Sequence, residues 1–132
     1  MDELKLLERF HGHLGPYAVV GLMMGKYAIK EFGKENFKKI KVSIYTGISP
    51  PLSCIIDGVQ VSGFTLGRGN INVLNKKLPK AKFFFEGREL SITLKKNLKK
   101  IIEKEMKLDE RKIAMKIYKM KYKDIFNVKC TS

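Results

Sequence analysis

The chain alternates between two hydrophobic periods. Residues 2–9 place Leu4, Leu6 and Leu7 on the apolar side of a short amphipathic helix, and the run from Phe10 to Gly15 interrupts it with two glycines. Pro16 suits a first helical position, where its missing N–H is no loss. The helix that follows to Phe32 is apolar nearly all round, so it is expected to be buried. Ala18, Gly21, Gly25 and Ala28 form a stripe of small residues that lets another backbone come close, and Gly33 supplies a stop. Lys41–Tyr45 alternates as a strand does. Residues 54–61 fit strand or helix by period alone, but Ser53 as a helix cap favours a short helix with Cys54 in its first turn. A turn-rich loop at 65–70 leads to Ile71–Val73. Residues 81–86 and 89–94 read as a hairpin about Gly87-Arg88. A helix over 95–107, a second capped by Asp109, and a last short strand at 124–128 complete an α+β pattern in one domain, 1–128, with 129–132 as a loose tail.

Composition narrows the class. The 132 residues are 44% hydrophobic, enough for a core and too much for a disordered basic tail. No apolar run is long enough to span a membrane, and the start lacks the layout of a signal peptide, so the expected address is the cytoplasm. Cys54 and Cys130 are too few for a disulfide framework.

The formal charge of +14 is unevenly placed. Residues 1–25 carry net −1, 26–41 +4, 42–75 zero and 76–132 +11. The excess avoids the segments that hold the rare residue types. Lysine-rich helix faces are ordinarily solvated surface, and no aromatic-basic platform for single-stranded RNA is present. A nucleic-acid-binding module that uses the basic C-terminal portion is the alternative of a different class, with a salt dependence that would expose it.

Two constellations offer chemistry. His11 and His13 are the only histidines; on an extended segment a His-x-His pair points both rings one way and can seat a cation such as zinc. Solvated or core histidines are the plainer reading. Cys54 and Asp57, at i and i+3, share one helix face, and the positive helix end is expected to lower the thiol pKa. A small buried cysteine is the alternative. The loop Thr65, Gly67, Arg68, Gly69, Asn70 has the glycines and cation of a phosphate cradle, but it lacks the P-loop ending and fits no dinucleotide fingerprint.

Together these segments resemble the FmdE family, which takes its name from formylmethanofuran dehydrogenase. Its first motif, His-Gly-His-x-Cys-Pro, is similar to His11-Gly12-His13-Leu14-Gly15-Pro16, and its second, Cys-x-x-Asp-Ala-Ile-Gln with Gly-Cys-Thr and Gly-Lys-Gly-Asn, to Cys54–Gln60, Gly63-Phe64-Thr65 and Gly67–Asn70. Gly15 and Phe64 stand where the family has cysteines, so a two-cysteine redox couple is not expected. The resemblance covers the core domain, without the zinc-ribbon-like extension of some members. It implies a thioredoxin-like core with a mixed β-sheet flanked by helices, commonly a homodimer. It also implies a site for zinc or another divalent transition metal at His11, His13, Cys54 and Asp57, the last two being the candidates for any catalytic role, with the 65–70 loop lining the pocket. The role so implied is accessory or enzymatic, beside a metabolic-complex partner in the one-carbon, molybdopterin-dependent chemistry of methanogenesis. A metal-free relict that binds a ligand or partner is the third reading.

Overall fold

A computed structural model describes residues 2–132. Helix α1 (Glu3–His11) opens with Asp2 accepting from the Lys5 amide at 2.9 Å, and closes on Gly12 in the left-handed region. Helix α2 (Pro16–Phe32) follows at once. Its residues are buried without a break from Pro16 to Gly25, as the all-round apolar pattern predicts, and Gly33 ends it. The chain then forms β1 (Lys41–Ile44), α3 (Cys54–Ser62), β2 (Ile71–Val73), the β3–β4 hairpin (Lys80–Phe85 and Arg88–Leu94), α4 (Lys96–Tyr118), the single turn α5 (Tyr122–Ile125) and β5 (Phe126–Thr131).

The five strands make one mixed sheet in the order β2-β1-β3-β4-β5, parallel only between β1 and β2. The β1-α3-β2 crossover followed by a hairpin laid against β1 gives the thioredoxin-like α+β order, although residues 74–79 join β2 to β3 without a helix. The register builds rows across the sheet: Val42, Phe83 and Leu90 in one, and Ile44, Ala81 and Ile92 in the next, all buried. Alternate rows carry Lys41, Phe84 and Glu89, then Ser43, Lys82, Ser91 and Lys129, none of them buried. The pleat sends these rows to the face opposite the helices.

Helix α2 is the centre of the helical layer, in contact with α3, α4 and the strands β3 and β4. The small-residue stripe faces α3. An ideal Cβ on Gly21 would stand 2.0 Å from the Ile55 carbonyl oxygen, and one on Gly58 of α3 would stand 1.9 Å from that of Ala18. The stripe is therefore spent within the chain, on α3, and not on a partner's helix.

Three boundaries differ from those the sequence predicts. The hairpin turns at Glu86-Gly87, both with positive φ, because two such residues match the twist of the flanking strands. Residues 124 and 125 belong to α5, and β5 runs on to Thr131, paired to β4 through Lys129, Cys130 and Thr131. The last residues are thus an edge strand rather than a loose tail; their polar sequence hides a register fixed by β4. Helix α4 breaks at Asp109 (φ −157°, ψ 93°), whose carboxylate accepts from the Lys112 amide at 3.1 Å, so the capping role is as expected. Among the described residues no helix is long and apolar enough to cross a membrane.

Candidate metal centre

The end of α1, the start of α2 and the start of α3 meet, and this junction sets His11 against Asp57 and His13 and puts Cys54 in a pocket with His13. His11 is the last residue of α1 and His13 follows the Gly12 cap, so the pair sits on a helix end rather than on an extended segment. The left-handed glycine turns the chain so that the rings lie side by side, centroids 4.6 Å apart and tilted by 44°. The helix carries on through His11 because the chain can close onto Gly12, whose amide donates to the Glu8 carbonyl at 2.9 Å.

Helix α3 contributes Cys54 and Asp57 on one face. Asp57 reaches His11: its Oδ2 is 2.6 Å from Nδ1. A carboxylate accepts, so Nδ1 carries the proton, and in the neutral ring Nε2 is then the atom with a free lone pair. The His11 side chain is only 10% exposed, and Nε2 is buried with no hydrogen-bond partner. Asp57 therefore spends Oδ2 on orienting the imidazole. Sequence spacing pairs Asp57 with Cys54 and gives no sign of this contact 46 residues away.

Cys54 is half-buried and lines a pocket of about 200 Å³ with His13, Gly15, Tyr17, Met106 and Glu110. Its position in the first turn of α3 is as expected, but the thiol pKa moves the other way. Burial pushes it up, the Asp57 and Glu110 carboxylates push it further, and the backbone hydrogen bond offsets only part of this. Ser53 makes no side-chain cap, its backbone being in the right-handed helical region instead of the extended conformation a cap requires. The helix end does not outweigh burial together with two carboxylates.

Glu110 is the residue that sequence reasoning misses. Its Oε1 lies 3.7 Å from His13 Nε2, and nothing in the sequence joins position 110 to position 13. Tyr17 and Met106 likewise carry no sequence signal beyond a core-facing position. Among the described residues no three His, Cys, Asp or Glu side chains are gathered closely enough, as they stand, to hold a metal ion. His13 is half exposed and has room to turn.

The 65–70 loop lies elsewhere. It follows the far end of α3, about 12 Å along the helix axis from Cys54. There Asn70 Oδ1 accepts from the Thr65 amide at 3.0 Å, Arg68 donates to the Gly63 carbonyl and its guanidinium lies over Phe37. Gly69 and Asn70 border a separate hollow with Lys41, Ser43 and Phe84. The loop is a folded turn whose cation is already engaged.

Comparison with known proteins adds three findings. Residues 10–128 match the family model described as FmdE, molybdenum formylmethanofuran dehydrogenase operon. The fold is similar to the crystal structure of a tungsten formylmethanofuran dehydrogenase FmdE-like protein from Syntrophus aciditrophicus, with a TM-score of 0.66 at 19% identity, over 97% of this chain and 69% of that one. No curated protein sequence matches the chain.

Proposed function

The chain belongs to the FmdE family, and from that premise we propose that it is a small protein that binds a divalent transition metal, zinc by donor type, in an accessory or enzymatic role tied to formylmethanofuran dehydrogenase and one-carbon, molybdopterin-dependent metabolism. The observation that carries the metal reading is His11: oriented through Nδ1 by Asp57 at 2.6 Å, with Nε2 buried and unpartnered. A histidine whose second nitrogen is held by a carboxylate is the usual form of a metal-ligating imidazole, because the carboxylate fixes the tautomer and raises the basicity of the free nitrogen. Leaving a buried nitrogen unpaired costs about 1–3 kcal/mol unless something fills it.

The donor chemistry fits. His11 and His13 supply nitrogen and Cys54 sulfur, a set suited to zinc and its borderline neighbours, and all three belong to one junction of helices. Such a cation, when bound, would supply a Lewis-acid centre at any open position. The chain's own residues do the rest: Asp57 holds the His11 proton on Nδ1, Tyr17 and Met106 wall the pocket, and Cys54 stays a thiol until a positive charge arrives to offset its neighbours. The homodimer expected of the family draws no support from the small-residue stripe, which α3 covers.

Metal analysis of protein purified without a histidine tag tests the reading. One equivalent of Zn, Co or Ni, retained on desalting or after reconstitution, is expected. His11→Ala and Cys54→Ser should each lower it, and Asp57→Asn should weaken affinity about 10–100-fold, the usual cost of losing a carboxylate behind a ligating histidine. Protein that retains no metal after reconstitution refutes the proposal.

A further inference from the structure

We propose that Glu110 is a ligand of the same cation, delivered from α4 by the break at Asp109; the inference rests on the metal reading above. Four observations converge. First, Glu110 enters the Cys54 pocket and stands 3.7 Å from His13 Nε2. Donors bonded at 2.0–2.2 Å to a tetrahedral cation lie about 3.4 Å apart, so a small rotation of either side chain completes the angle. Second, Gly15 leaves the space between them open: a Cβ there would stand 3.2 Å from His13 Nε2 and 3.9 Å from Glu110 Oε2. Third, the backbone is arranged to present this residue. The helix stops at Asp109, restarts on its cap, and Glu110 is the first residue of the new segment. Fourth, the next residue locks that segment to α1: Arg111 Nη1 meets Glu8 Oε2 at 2.7 Å, one helical turn before His11.

Two consequences follow for ligand chemistry. A carboxylate in place of a second thiolate makes the set N, N, S, O, which favours zinc, cobalt or nickel over cuprous ion. It also gives the pocket a negative character within a chain of net charge +14, so cations are drawn to a place where the surface at large would repel them.

The test is Co²⁺ and Zn²⁺ binding to the full chain, with Co²⁺ read by its d–d and thiolate charge-transfer bands and Zn²⁺ by competition with a chromophoric chelator. Glu110→Gln is expected to bind at least tenfold more weakly, with the d–d bands shifted and unfolding temperature unchanged. Glu110→Asp should recover part of the affinity. Glu105→Gln, which removes one charge from the same helix outside the pocket, should bind as the wild type does. Wild-type binding with Glu110→Gln within twofold and spectrally identical overturns the role of Glu110 alone. An equal loss in Glu105→Gln also overturns it, since net charge would then suffice. Absence of binding in the wild type overturns the metal reading itself, and this inference with it.

Discussion

Gly58→Ala offers a direct test of how the site is held. The added Cβ would stand 1.9 Å from the Ala18 carbonyl oxygen, 2.5 Å from the Leu22 amide nitrogen and 2.9 Å from the Gly21 carbonyl carbon. Ordinary contact begins near 3.4 Å, so α2 and α3 must part by about 1.5 Å, and every neighbour is backbone, which cannot rotate away. Overpacking of this kind costs about 1–3 kcal/mol and sometimes more. The alanine returns about 1 kcal/mol of helix propensity, since Gly58 lies inside α3. With rigid backbone on both sides the cost sits at the upper end, leaving a net loss of about 2 kcal/mol. At roughly 3–5 °C per kcal/mol for a domain of this size, the melting temperature should fall by about 6–10 °C. Thermal and urea unfolding followed by circular dichroism read this out, with an unchanged urea slope expected. Gly67→Ala is the control: nothing lies within 4 Å of its Cβ and its φ is not positive, so it should be neutral or slightly stabilising. A Gly58→Ala protein as stable as the wild type would show that helix propensity outweighs the close approach and would refute the argument.

Alkylation of metal-free protein should find Cys54 unreactive at neutral pH. Burial, Asp57 and Glu110 raise its pKa above the ordinary thiol value, so at any given pH less thiolate is present, and the rate should keep climbing well into alkaline solution; Asp57→Asn should move the profile down, and a Cys54 already fully reactive at pH 7 would contradict the assignment. The same shift makes stability fall as pH rises past the unfolded thiol's pKa, since only the unfolded chain ionises freely there. Deleting residues 129–132 removes the pairs of Lys129, Cys130 and Thr131 with β4, so hydrogen exchange at the start of β4, Glu89–Ser91, should quicken and melting should occur earlier; unchanged exchange would mean that these residues are a tail after all. Tyr118→Phe, which removes the hydroxyl that donates to Glu3 and ties α4 to α1, should cost about 0.5–1.5 kcal/mol in urea unfolding, and no loss would show the bond to be idle. Gel retardation of RNA or duplex DNA should fail at physiological salt, whereas retention with a steep salt dependence would favour the nucleic-acid alternative.

The elements are legible wherever one period dominates. Helix α2 announces itself by apolar residues on every side, and the β3–β4 hairpin by alternation around a glycine. Strand β5 is harder, since only Phe126 of its six residues is buried and its register comes from β4, a partner outside the local window. At the site, residue types can be read from the chain but their contacts cannot. His11, His13, Cys54 and Asp57 stand out as the chain's scarce chemistry, yet the Asp57–His11 bond spans 46 residues and the Glu110–His13 approach spans 97 positions of chain. The upward Cys54 shift is set first by burial in the tertiary fold and then by Asp57 and the distant Glu110, which the local helix-end argument leaves out. The loop at 65–70 misleads because glycines and an arginine are also what a tight turn needs, and Arg68 is already held by Gly63 and Phe37.

The glycine contact between α2 and α3 also bears on how a cation would come and go. Because Gly21 and Gly58 lock the two helices backbone to backbone, the frame that carries Cys54 and Asp57 is complete before any ligand arrives. A chelator should then strip the site without melting the protein, unlike the small zinc domains whose fold is assembled by their ion. Under the metal reading, loading would be a matter of turning side chains on a finished scaffold, and the bare protein would persist as an acceptor until the ion is supplied.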